Sequence, residues 1–92
     1  KDNQASALDS LQDSLFSEKL TQELELLDEK QKSTFVMRYF QDMSIKEIAQ
    51  ALDLSEGTVK SRLFYTLKKL TVSLKDFAPQ MAKVLLLLIG LN

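Results

Sequence analysis

The chain has 92 residues, of which 45% are hydrophobic and 27% charged, with a formal net charge of −1; this is the composition of one small globular domain, not of a disordered or fibrous chain. With no cysteine and no histidine, disulfides, thiolate nucleophiles, imidazole bases and nearly all zinc chemistry are excluded. Two glycines and one proline supply too little turn chemistry for a sandwich or barrel, so the abundant Leu, Lys, Gln, Glu and Ala predict an all-α fold. The remaining acids and serines form no triad or metal set, and the reading is of no enzyme, no cofactor and no small-molecule substrate.

Residues 1–17 are polar, with Leu8, Leu11 and Leu15 at a loose helical spacing that fits a linker or a frayed helix. The start at Lys1, without Met and without a basic-then-apolar leader, reads as a piece of a longer or processed chain. From Ser17 the pattern sharpens: Leu20, Leu24 and Leu27 recur at three and four, predicting an amphipathic helix that ends near Leu27. Asp28 followed by Gln31 resembles a capping box, and Phe35, Val36, Tyr39 and Phe40 supply the apolar stripe of a second helix running to about Phe40. Ser44 with Glu47 is a capping box for a short helix whose Ile45, Ile48, Ala49 and Leu52 share one face. After Asp53 and Leu54, Ser55 caps a longer helix in which Val59, Leu63, Thr66, Leu67, Leu70 and Leu74 fall on one side.

A short helix, a three-residue turn and a long helix carrying positive charge outline a helix-turn-helix. Charge is divided along the chain: residues 1–30 hold three lysines against eight acids, and residues 31–92 hold nine lysines or arginines against five acids. Lys60, Arg62, Lys68, Lys69 and Lys75 follow one another with no acid among them, a local positive field suited to a negative partner. A plain bundle hairpin with a solvated lysine face is the rival reading. Helical spacing gathers Gly57, Thr58, Lys60, Ser61, Phe64, Tyr65 and Lys68 opposite the apolar stripe. Two aromatics among lysines on a wet face favour DNA, where an aromatic packs on a thymine methyl and lysines reach phosphate or base edges. Gly57 fits a place where backbone approaches another molecule closely.

Three stretches carry a resemblance: Leu27 to Gln31 with Phe35 to Phe40; Met43-Ser44-Ile45-Lys46-Glu47-Ile48-Ala49; and Leu54-Ser55-Glu56-Gly57-Thr58-Val59-Lys60-Ser61-Arg62-Leu63-Phe64. Over residues 18–70 the chain resembles region 4 of a bacterial sigma-70 family RNA polymerase sigma factor, of the extracytoplasmic-function type. The resemblance implies a cytoplasmic domain with a winged-helix-like, wingless region 4 fold over residues 18–75. It implies recognition of the minus-35 element of promoter DNA and docking on the beta flap of core RNA polymerase. By the same resemblance, Lys60, Ser61 and Phe64 face bases, Arg62 lies near the backbone, and Ser55, Gly57 and Thr58 form the helix entrance where phosphate is met. Arg62 pairing with an acid of the preceding helix is the structural alternative, and Ser55 is a cap in either case.

Two departures from the family pattern stand out. Asp42 and Asp53 occupy turn positions where the family usually has Gly, so Asp must bear left-handed backbone there. Tyr65-Thr66-Leu67 stands where relatives commonly show Arg-Ala-Arg, which lowers the expected salt-dependent part of DNA affinity. Weak binding by the isolated domain is tolerable where a second promoter-binding domain raises effective concentration.

The tail, residues 76–92, falls outside the family pattern. Asp76, Phe77, Ala78 and Pro79 read as a helix start, and Met81 to Ile89 are nearly all apolar before Gly90. Met81 to Leu91 as a helix spans about 16 Å against a hydrocarbon core of about 30 Å, too short for a membrane span. An apolar helix of this kind is expected to fold back on the domain, with pairing to a second copy as a homodimer the alternative. Were it to cover the face around Phe64, it would be autoinhibitory. An anti-sigma partner stays open, as do a helix-turn-helix regulator of another class and a sigma-like domain used only for protein interaction.

Overall fold

The computed structural model describes the backbone of residues 3–89 and the side chains of residues 11–88; Leu8, Gly90 and Leu91, singled out above, lie outside those side chains. Helix α1, Asn3–Leu24, buries Phe16, Leu20 and Leu24 at four-residue intervals and leaves Leu11 and Leu15 exposed, so it is anchored by its second half. Residues 3–17, read as linker or frayed helix, form its first part. The helix ends three residues before the expected Leu27. The Leu26 and Leu27 amides donate to the Glu23 and Leu24 carbonyls at 3.1 and 3.2 Å, the i to i+3 tightening common at helix ends.

Helix α2, Glu29–Phe35, begins at Asp28, whose Oδ1 accepts from the Gln31 amide at 2.8 Å. The expected box is one-sided, because the Gln31 Oε1 accepts instead from Lys69 Nζ at 3.4 Å. Lys32 Nζ donates to Glu25 Oε2 at 2.9 Å, clipping α2 to the end of α1, and that bond lifts the Lys32 ammonium above its ordinary value.

Without a break, α2 widens into a π-helical turn, Val36–Phe40, closed by the Gln41 amide on the Val36 carbonyl at 3.1 Å, an i to i+5 bond. Phe35 is fully buried and Arg38, one turn on along the same face, is 5% exposed, while Phe40, expected in the apolar stripe, is 56% exposed, about 140° around the helix from Phe35.

Asp42, at φ 54°, reverses the chain into Ser44. Ser44 and Glu47 form the predicted reciprocal capping box of α3, Ile45–Leu52, which buries Ile48 and Ala49. Asp53 sits in left-handed backbone at φ 58°, ψ 49°. Its amide donates to the Gln50 carbonyl at 3.3 Å and that of Leu54 to the Ala49 carbonyl at 2.9 Å. This pair of bonds is a Schellman motif, usually completed by Gly. Both aspartates therefore adopt the backbone expected of them.

Helix α4, Glu56–Ser73, buries Val59, Leu63, Thr66, Leu67 and Leu70, with Leu74 buried just beyond. The buried Thr66 hydroxyl is satisfied by the Arg62 carbonyl at 2.8 Å. A 3₁₀ turn, Lys75–Phe77, sets the Phe77 ring 5.6 Å from that of Phe16 and turns the chain into α5, Ala78–Ile89. The tail folds back: α5 packs on α4 and on the π turn, burying Met81, Val84 and Leu88 in the common core. Among the described residues the regular structure is helical, five α-helices with the π and 3₁₀ turns and no strand, and no helix among them is long and apolar enough to cross a membrane.

Candidate nucleic-acid interface

Ser55 starts the interface. In extended backbone, its Oγ accepts from the Thr58 amide at 3.1 Å and donates to the Thr58 Oγ1 at 3.0 Å. That satisfies one of the four orphan amides of the α4 terminus. The two hydroxyls hold each other at the mouth of the helix.

Gly57 follows in ordinary helical backbone. A Cβ built there would meet only the Ser55 Oγ at 3.9 Å, an ordinary contact. Glycine in a helix costs about 1 kcal/mol relative to alanine, and nothing inside the domain requires it. Its bare backbone faces outward.

Beyond the first turn, Lys60, Ser61, Phe64, Tyr65 and Lys68 are all exposed, whereas Val59, Leu63, Thr66, Leu67 and Leu70 are buried. The two faces predicted from helical spacing are the observed ones. Phe64 is 54% and Tyr65 59% exposed, large apolar surfaces left in water next to each other. Their rings meet edge to face at 5.6 Å. The Lys68 ammonium lies 5.8 Å from the Phe64 centroid and 5.9 Å from that of Tyr65, within cation–π range. The lysine is thus held over the rings, its charge kept at the surface.

Arg62 is half-buried at the edge of this face. Among the described residues, the ion pairs are Lys19 with Glu23 and Lys32 with Glu25, so the pairing considered for Arg62 is not made. The nine expected contact residues therefore form one strip: Ser55, Gly57 and Thr58 at the helix mouth, Lys60, Ser61, Phe64, Tyr65 and Lys68 along the outer face, Arg62 on its flank. No group of acids with metal-binding geometry occurs among the described residues.

Among the described residues, α5 does not cover this face. Leu88 lies beside Phe64, Leu63, Lys60 and Ile45 around one recess, and Leu85 beside Phe64, Leu67, Lys68 and Thr71 around another. α5 flanks the strip and leaves the rings of Phe64 and Tyr65 open. Within the described residues, α5 spends its buried side on the inner flank of α4, and the cover over Phe64 considered for the tail is not formed by residues 76–88.

Arg38 is the residue that hydropathy missed. Its Nη1 donates to the Met43 carbonyl at 2.8 Å, in the turn leading into α3. Its Nε donates to the Leu88 carbonyl at 3.3 Å, in the last turn of α5, where helix carbonyls lack partners of their own. The i, i+3 spacing from Phe35 places Arg38 on the buried face, a signal that its charge obscures.

Residues 17–70 match the family described as Sigma-70, region 4. Among curated proteins, the chain is 43% identical over 53 residues to the RNA polymerase sigma-E factor of Streptomyces avermitilis, covering 58% of this chain and 30% of that protein. It is 47% identical over 47 residues to the RNA polymerase sigma-E factor of Streptomyces coelicolor, covering 51% and 27%. The chain spans less than a third of the length of these relatives. No solved structure matches significantly.

Proposed function

The chain belongs to the sigma-70 region 4 family, and from that premise we propose that it is the promoter-recognition domain of a sigma factor, α4 reading the minus-35 element while the domain docks on the flap of the core RNA polymerase beta subunit. It is a transcription-factor domain and not an enzyme. The observation that carries the reading is the strip on α4, where a bare backbone, three hydroxyls, two exposed aromatics and two lysines share one helix face. Amides and hydroxyls at a helix mouth suit phosphate. Lysines suit guanine edges or phosphate, and an exposed aromatic suits a thymine methyl. Such a domain works in the cytoplasm, on promoter DNA.

Tyr65, Thr66 and Leu67 bring no positive charge to the middle of α4, and Thr66 and Leu67 are buried. Fewer phosphates are neutralised, so the isolated domain binds DNA weakly and relies on the polymerase and a second promoter contact. The test is titration of the chain with duplex carrying a randomised promoter-length site, at two salt concentrations, beside Lys60→Ala. Sequence-selective binding that weakens with salt and with the substitution supports promoter readout. Protection of a palindrome by a dimer points to a regulator of another class, and an absence of salt-dependent binding leaves only a protein-interaction role.

A further inference from the structure

Helix α3 has eight residues, Ile45–Leu52, too few to hold a fixed place by its own hydrogen bonds. Its position beside α4 depends on how its two ends are tied down. The far end is tied locally, by the left-handed turn at Asp53 that leads straight into α4. At the near end, the capping box of Ser44 and Glu47 joins only residues of the same turn. That end is tied to the rest of the domain at Met43, whose amide donates to the Met37 carbonyl at 3.1 Å and whose carbonyl accepts from Arg38 Nη1 at 2.8 Å.

Arg38 is itself held from α5. Its Nε donates to the Leu88 carbonyl at 3.3 Å, and because a guanidinium is a rigid plane, fixing one nitrogen orients the others. A helix beyond residues 17–70, the part that matches the family, thereby aims the donor that holds Met43. Leu88 reaches the same two helices through its side chain. It is buried and, with Ile45 at the start of α3 and Lys60, Leu63 and Phe64 of α4, borders the recess where the three helices meet. Backbone and side chain of one residue thus converge on the junction of α3 and α4, next to Lys60 and Phe64 of the exposed strip.

We infer that Arg38 and Leu88 are positioning residues for DNA recognition: through them α5 braces the helix-turn-helix, setting α3 against α4 before DNA arrives. This rests on the reading of α4 as the DNA-facing helix. Helices already set in the bound arrangement avoid an ordering cost on binding, so α5 contributes to affinity through position. The brace has two marks that a direct contact or a general loss of stability would not share. Replacing Arg38 lowers affinity at an unchanged salt dependence, since a buried guanidinium neutralises no phosphate. Loosening α5 at its start, away from Leu88, leaves affinity as it was.

The test titrates the full chain, as wild type, Arg38→Met, Arg38→Lys and Met81→Ala, with a duplex that the wild type selects from the randomised pool, at several salt concentrations. Met81 is a buried anchor of α5, about 10 Å along the helix from Leu88, and its variant controls for lost stability. Arg38→Met is expected to bind at least tenfold more weakly at the same salt slope. Arg38→Lys is expected to recover part of that loss, because an ammonium still reaches a carbonyl, and Met81→Ala to stay within twofold of wild type. Binding by Arg38→Met within twofold of wild type, a salt slope lower by about 1, or equal losses in Arg38→Met and Met81→Ala overturns the inference. Should the Arg38 variants not fold, hydrogen exchange of the wild type decides, by the reciprocity of coupled sites. Saturating duplex that slows the Val84 and Leu85 amides at least fivefold more than those of Phe16 and Leu20 in α1 supports the brace, and equal slowing overturns it. Should the wild type bind no duplex, the promoter reading falls, and exchange without DNA judges the brace separately. In Arg38→Met, acceleration of the Ile48 amide of α3 at least tenfold beyond that of Leu67 in α4 supports it, and equal acceleration of the two overturns it.

Discussion

Arg38 donates from Nε to the carbonyl of Leu88, fifty positions along the chain, at 3.3 Å. The same guanidinium holds the Met43 carbonyl at 2.8 Å, so one buried side chain ties the end of α5 to the turn that launches α3. Arg38→Met keeps much of the packing volume and leaves both carbonyls without that donor. A loss of about 2 to 4 kcal/mol in unfolding free energy is expected, measured by urea denaturation. A loss under about 0.5 kcal/mol would show the bonds to be readily replaced by water.

Gly57→Ala separates folding from binding. The helix gains about 0.5 to 1 kcal/mol from the alanine, and the Cβ meets only Ser55 Oγ at an ordinary distance. Thermal melting should rise by a few degrees while DNA affinity falls. A variant that melts higher and binds DNA as before would remove the close-approach role of this backbone.

The lysines and the aromatic should fail in different ways. Lys60→Ala and Lys68→Ala each remove a candidate phosphate contact and should lower the slope of log affinity against log salt by about 1. Phe64→Ala should leave that slope unchanged and cost about 1 to 3 kcal/mol of preference between sites. All three positions are exposed, so stability should move by no more than about 0.5 kcal/mol. Titrations at several salt concentrations, on selected and scrambled duplexes, check both behaviours.

Asp53 should accept glycine and refuse valine. Its left-handed backbone costs an L-residue about 1 to 2 kcal/mol unless its side chain tolerates that region, as Asp does better than most. Asp53→Gly is therefore expected to lie within about 1 kcal/mol of the parent, and Asp53→Val to be destabilised by about 1 to 2 kcal/mol. Chemical denaturation of the two variants gives the comparison directly.

What was legible in the sequence was whatever neighbours decide among themselves. Caps at Asp28, Ser44 and Ser55 act over three residues, the left-handed turns at Asp42 and Asp53 over four or five, and the two faces of α4 over a single helical period. Each repeats a local geometry that the backbone imposes, so the exposed strip from Ser55 to Lys68, the candidate interface, could be listed before any coordinate. The widened turn at Val36–Phe40 was not legible, because an i to i+5 bond leaves no periodic mark in so short a stretch. Phe40 outward and Arg38 inward go against their hydropathy, although the i, i+3 step from Phe35 to Arg38 is an ordinary helical one. The seat of α5 was legible only as a need for cover: an apolar helix must be buried, but its composition does not say against what. Tertiary structure decided that, by setting α4 and the π turn far enough apart to admit a third helix and by placing a buried guanidinium where that helix ends.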